Sequence, residues 1–336
     1  MALSGSYNYT ESITAAQIIA LALRRLGVLG IAETINSTEE ANALIVLNLL
    51  IKEWSAQGAD VWLRKKAYLF LENPGEVNEY SVGTSGTASI TSSYAMTTLA
   101  SSATASASTV TVTDDTNISN ADNILIMQAD GTFHVTTVNG APSANVVTLT
   151  ASTASDTTAS SGALVYTWAP ALSITSKITH LVYAARKENS ITGASTNSTL
   201  KPGHEIPIEI VGEQDYRDRS TQTLQTGAPT MIFHRQGTIR SSLKIWPTGG
   251  GGYDKLTLQY VPLIQDLDAT TDNIDISAEG INSLAHGLAA EMCPEYGITG
   301  NERKEHIAIA EAKKNDYFNS MSEDASVIFG KDERRT

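Results

Sequence analysis

From Ala67 to Ser176 this chain of 336 residues carries not one Lys or Arg. Within that stretch, Thr/Val alternation predicts β structure with one buried and one wet face. Its acids are Glu72, Glu76, Glu79, Asp114, Asp115, Asp122, Asp130 and Asp156, and they make up most of the formal net charge of -13. Short β-patterned runs fill it: Thr109–Thr113, Asn123–Met127, Phe133–Val138, Val146–Thr150 and Leu164–Trp168. Asp130-Gly131 and Asn139-Gly140 are tight-turn signals between those runs. The Ser/Thr/Ala-rich composition and strand spacing predict that residues 81–168 form an inserted small all-β domain, a barrel or a sandwich.

Helices bracket this region. Thr14-Ala-Ala-Gln17 reads as a capping box, in which the Thr hydroxyl takes a first-turn amide while the Gln side chain reaches back. Ile18, Ile19, Ala22, Leu23 and Leu26 then share one helical face, and Gly27 or Gly30 supplies the left-handed stop. Ser37-Thr-Glu-Glu40 reads as a second capping box, followed by a stripe of Leu44, Leu47, Leu50, Ile51 and Trp54 that ends at Gly58. The two helices are expected to form an antiparallel hairpin. Asn73-Pro74-Gly75 marks a turn in extended chain around Trp62, Tyr68 and Phe70. Further strands are expected at Ile178–Ala185, Ile206–Val211, Thr230–His234, Leu243–Trp246 and Leu256–Val261. Helices are expected at Glu213–Gln222, Ser277–Glu295 and Asn301–Met321.

The fold class expected is α+β. Two N-terminal and two C-terminal helices form a helical body with an antiparallel β part, and the small all-β domain is inserted into it. The divisions are 1–80 (helical hairpin and first strands), 81–168 (insert), 169–321 (β part and closing helices) and 322–336 (tail).

Composition narrows the function. Charged residues are 18% of the chain, and the pI of about 4.9 argues against phosphate-gripping over the whole surface. Cys293 is the only cysteine, which excludes an internal disulfide and a cysteine-based zinc site and suits a reducing cytoplasm. The N-terminus lacks the basic and apolar regions of a secretory signal. The longest apolar run, Ala41–Ile51, falls well short of the roughly 20 residues of a span, so no membrane partner is expected.

No catalytic, cofactor or metal constellation emerges. The histidines at 134, 180, 204, 234, 286 and 306 have no metal-ligand spacing. Gly249–Gly252 with Lys255 lacks phosphate-loop spacing and reads as a flexible hairpin. Ser85 in Val82-Gly-Thr-Ser-Gly86 has no nucleophile-elbow context. Glu213, Asp215 and Asp218 with Arg217 and Arg219 read as an ion-pair surface. Trp54, Trp62 and Trp246, among apolar neighbours, read as body or interface packing. Val327-Ile328-Phe329, an apolar triplet in a polar tail, reads as a docking peptide.

An ordered set of segments carries a resemblance. They are Ala22-Leu-Arg-Arg-Leu-Gly27, Leu47–Gly58, Gly227–Phe233, Leu243-Lys-Ile-Trp-Pro247, Leu256-Thr-Leu-Gln-Tyr260 and Leu288–Gly297. In that order the chain resembles the packaged-DNA-stabilisation (tail accessory) family, the head-to-tail adaptors of short-tailed bacteriophages. The resemblance spans about residues 10–80 and 170–320, and the 81–168 insert departs from the compact family pattern. It implies a non-enzymatic virion protein, made in the host cytoplasm and placed at the head–tail interface. Such a protein assembles a homo-oligomeric ring, typically a dodecamer, between the portal protein and the tail nozzle. A tail fibre or spike is a further candidate partner. Double-stranded DNA passes through the lumen without specific binding, and no cofactor is implied. The C-terminal extension reaches the portal, here through Val327, Ile328 and Phe329. Two other readings compete: a glycan-binding or adhesive virion protein built on the insert, and, more remotely, a cell-wall hydrolase using Glu53 beside Trp54.

Overall fold

The computed structural model describes residues 13–57, 63–71, 78–83, 89–129, 133–153, 159–187, 205–219, 225–249, 255–274 and 276–320. Gly58, Trp62, Asn73-Pro74-Gly75, Ser85, Asp130-Gly131, His204 and Val327-Ile328-Phe329 lie outside the described residues. The fold is mixed α+β. Its helices among the described residues are α1 (Ala15–Arg25), α2 (Ser37–Ala56), α3 (Glu213–Arg219), α4 (Ala278–Met292) and α5 (Gly300–Ser320). The chain divides into two compact units, Met1–Trp62 with Ile264–Thr336, and Leu63–Leu263.

In the first unit, α1 begins with the expected capping box. The Thr14 hydroxyl accepts from the Gln17 N–H at 3.4 Å, and the Gln17 side chain accepts from the Thr14 N–H at 3.1 Å. It ends at Gly27, whose φ of 74° lets the chain turn left-handed. The Val28 N–H reaches the Leu23 carbonyl and the Gly27 N–H that of Arg24, which satisfies carbonyls left open by the last turn. For α2 the expected box does not form. Asn36 is the cap, its side chain accepting from the Thr38 N–H at 3.0 Å, so Ser37 is already helical. Asn caps as well as Ser does, and one residue of shift removes the box geometry.

The two N-terminal helices do not bury their stripes mainly against each other, as expected of a hairpin. Both pack on α4, which is also covered by α5. The core holds Ile18, Ile19, Leu23, Leu47, Leu284 and Leu288, all essentially inaccessible to solvent. Small residues on α4 make this central position possible. Gly287 faces Leu50 and Trp54, and Gly280 faces the Tyr317 ring. The half-buried Asn48 donates to the Leu267 carbonyl at 3.0 Å and accepts from the Leu267 N–H at 2.9 Å, tying the segment before α4 to α2.

The second unit is β-rich. Its early strands are β1 (Lys65–Phe70), β2 (Glu79–Gly83), β3 (Ile90–Thr91), β4 (Ala95–Thr98), β5 (Thr109–Thr111), β6 (Asn123–Met127), β7 (Phe133–Thr137), β8 (Val146–Thr148) and β9 (Leu164–Trp168). The later ones are β10 (Ile178–Lys187), β11 (Glu205–Pro207), β12 (Glu209–Val211), β13 (Met231–Gln236), β14 (Arg240–Trp246) and β15 (Lys255–Pro262). One sheet runs β11-β10-β15-β1-β3 and a second runs β12-β13-β14-β2. Leu69, Ile90, Leu256 and Leu258 of the first and Tyr80, Leu243 and Ile245 of the second share one core, so the pair is a sandwich.

Two expectations for these strands are corrected. Ile206–Val211 is not one strand: β11 pairs with β10 and β12 pairs in parallel with β13. The chain changes sheets at Ile208, just after Pro207, which has no N–H to continue a ladder. The expected hairpin pairing of Leu243–Trp246 with Lys255–Leu258 across Gly249–Gly252 does not form, because β14 and β15 belong to different sheets. Their apolar patterns suit pairing, but each finds its partners elsewhere in the chain.

A third sheet runs β4-β9-β6-β7, and β5 pairs only with β8. Single bridges, Leu99 to Val112 and Val138 to Leu149, link the two at their corners, and among the described residues no closed barrel forms. Val110, Val112, Ile124, Ile126, Val147 and Val165 fill the space between them. The reversal before β8 is made by Ala144 and Asn145, both at positive φ, with Ser143 and Val146 exchanging both hydrogen bonds across it. The expected boundary at Ser81 is too early. β2 and β3 pair with β14 and β1 of the sandwich, and the separate sheets start at β4.

At Gly280, an added Cβ would lie 2.6 Å from the Tyr317 ring and 2.9 Å from Ile276 Cδ1. Gly280→Ala is therefore expected to lower stability by about 1–3 kcal/mol despite alanine's better helix propensity, read as a fall in the urea midpoint. An unchanged midpoint would mean that Tyr317 moves aside freely.

Candidate functional site

α2 is apolar on two sides. Its inner face buries Ala43, Leu47, Leu50, Ile51 and Trp54. Its outer face exposes Ile45 and Leu49, one turn apart, at 60% and 63% of their surface. Ile31, in the loop before α2, is 90% exposed. Scattered exposed leucines are ordinary, but two large aliphatics stacked at i and i+4 make a stripe.

Trp54, expected in body or interface packing, is a core residue. Its ring meets Phe318 edge-on at 5.9 Å and Tyr317 at 6.1 Å. Lys314 Nζ lies 5.9 Å from its centroid and 3.9 Å from the Glu53 carboxylate. Glu53 also accepts from Gln57 at 2.8 Å. The Glu53 carboxylate is exposed and already engaged by an amide and an ammonium. Trp246 is half-buried against the cluster of Val211, Tyr216, Met231 and Phe233. Its indole N–H is buried and finds no hydrogen-bond partner among the described residues. The expected ion-pair face of α3 is present as Glu213 with Arg217 at 2.6 Å.

The structure also assembles a cluster that no local spacing signals. Phe70 of β1, Leu125, Phe133, Leu164, Tyr166 and Trp168 form an aromatic core where the third sheet meets the sandwich. Lys255, only 2% exposed, enters it. Its Nζ donates to the Tyr166 hydroxyl at 3.0 Å and lies 4.3 Å and 5.2 Å from the Tyr166 and Tyr94 centroids. Rings arranged around a cation are also how proteins bind cationic ligands. Here the protein's own lysine occupies the position, so the cage is a joint and not a receptor.

Among the described residues no group of three or more His, Cys, Asp or Glu is arranged to hold a metal ion. Burial pushes the phenols of Tyr260 and Tyr317 up to about 12. The Cys293 thiol is buried and likewise shifted up, chiefly by burial. Among the described residues no helix is long and apolar enough to cross a membrane. Of the residues named for docking and packing, Trp62, Val327, Ile328 and Phe329 fall outside the described residues. Compared with known proteins, the chain matches no family model and no curated sequence.

Two measurements follow from this geometry. Burial holds the His234 imidazole below its ordinary range, His180 adds to that, and a hydrogen bond to the Ile178 backbone partly opposes it. The folded state therefore binds the proton less well than the unfolded chain. His234's contribution is complete above the unfolded value of about 6.5 and is lost as pH falls from there through the folded value. The urea midpoint is expected to drop over that window, and less steeply in His234→Gln. Tyr166→Phe, which takes the phenol from Lys255, is expected to cost about 1–3 kcal/mol in the same assay.

Proposed function

We propose that this chain is a structural subunit, the head-to-tail adaptor of a short-tailed phage, which assembles as a ring between portal and tail nozzle. The observation that carries the reading is α2. A helix that buries one apolar face and exposes Ile45 and Leu49 on the other fits a subunit that packs beside a copy of itself. The six segments behind the family resemblance support it too. They fall on the end of α1, the second half of α2, β13 with its lead-in, β14, β15 and the end of α4, all core-forming elements.

In this reading the four long helices and the sandwich are the adaptor body, and the sheets from β4 to β9 are a module set into it. The net charge of -13 suits a lumen past which DNA slides without adhering, because phosphate attraction is what would arrest it. The tail, 322–336, docks on the portal through Val327, Ile328 and Phe329. The protein does no chemistry and needs no cofactor.

The test is mass measurement and negative-stain imaging of the purified chain, alone and with its phage's portal ring. A portal-dependent ring is expected. Ile45→Glu with Leu49→Glu is expected to leave the melting temperature within a few degrees, as both side chains are exposed, and to abolish the ring. Absence of any association with portal would sink the adaptor reading. Undiminished portal binding after truncation before Ser322 would remove Val327, Ile328 and Phe329 from their docking role.

A further inference from the structure

With 36 acids against 23 Lys and Arg, a basic surface is the exception in this chain. The turn between β13 and β14 carries one. Arg235 lies opposite Ser242 in the ladder, and Arg240 stands two residues before Ser242 on the same face. Such diagonal positions of an antiparallel pair are about 7–8 Å apart. Lys177, just before β10, reaches the turn itself. Its Nζ donates to the Gly237 carbonyl at 3.0 Å and to the Thr238 carbonyl at 3.3 Å. Both arginines are exposed, and neither they nor Lys177 form an ion pair among the described residues. Further along the same face Glu79 is already paired, with Lys244 at 3.2 Å. At the tip, Ile239 is 69% exposed.

The tip is braced from below. The Gln236 amide donates to the Thr179 carbonyl, and the buried Ser241 hydroxyl accepts from the Ile178 N–H at 3.1 Å. Gly237 closes a turn so tight that an added Cβ would lie 2.3 Å from the Arg240 carbonyl oxygen. A braced turn loses little conformational entropy when a partner covers it. An apolar anchor beside a charged rim is also how protein contacts are built.

The partner such a tip fits is acidic and short of cations of its own. Residues 67–176 of this same chain answer that description. In the turn after β5, the Asp114 carboxylate accepts from the Thr116 N–H at 2.9 Å, and that of Asp115 from the Asn145 N–H at 3.0 Å. The Thr116 hydroxyl and N–H hold the Asp114 carboxyl below its ordinary range. Neither acid meets a cation among the described residues. Duplex DNA, the other polyanion of the adaptor reading, is repelled by the net charge of -13. We propose that the β13–β14 turn, through Ile239, Arg235, Arg240 and Lys177, docks on the Asp114-Asp115 turn of a neighbouring copy of this chain. The two patches differ, so the contact is heterologous, the kind that closes into a ring. It rests on the ring reading and names two of the surfaces that meet in the ring.

The test measures, by mass, assembly of the full chain on its portal ring against chain concentration. Arg235→Gln with Arg240→Gln removes charge from the tip. Asp114→Asn with Asp115→Asn removes it from the acidic turn and keeps an acceptor oxygen for each backbone N–H. Each pair is expected to raise the half-assembly concentration about tenfold and to leave the melting temperature within a few degrees. All four together should raise it no further than either pair, because charges that face each other are lost only once. A tip pair without effect overturns the proposal and leaves the ring reading standing. A roughly hundredfold rise for all four does the same, since independent contacts multiply. If the tip pair leaves the ring intact but abolishes binding of a short DNA duplex, the tip belongs to DNA and the proposal falls. A native chain that forms no ring sinks the ring reading, and this contact with it.

Discussion

Phe70 stacks on Trp168 with centroids 5.0 Å apart and planes 14° from parallel, and it does so from a strand that also faces the other way. Side chains alternate along β1. Ala67 and Leu69, with Leu71 just beyond the strand, point into the sandwich core, while Tyr68 and Phe70 meet Tyr94 on the far side. A half-buried antiparallel strand needs one apolar face; β1 supplies two. It is thus the shared wall of two cores, and the third sheet is held to the sandwich by what stands on that wall. Lys255 explains itself in the same terms. It pairs directly with Phe70 in the ladder, so its stem runs alongside the ring and its ammonium ends against Tyr166. A buried lysine there is tolerable because hydroxyl and ring faces replace part of its water.

The chain announces those parts of the fold whose cause is local. The capping box at Thr14, the left-handed stop at Gly27 and the bounds of β6 and β9 depend on residues within a few positions of one another, and each is where the pattern puts it. Asn36 is not legible as the cap because Ser37 offers the same chemistry one residue later. The hairpin expected at Gly249–Gly252 fails for a different reason. Nothing in Leu243–Trp246 or Lys255–Leu258 states that the first pairs with β2 and β13 and the second with β1 and β10. Partner choice between strands is a tertiary property, decided by which faces need covering.

The same divide governs the functional surfaces. Trp54 stands out in the sequence as a large aromatic beside an acid, yet its surroundings are helix packing. Ile45 and Leu49 are invisible as a surface, because a run such as Leu44-Ile-Val-Leu47 reads as core on every side. Only the packed helix shows which side is left uncovered.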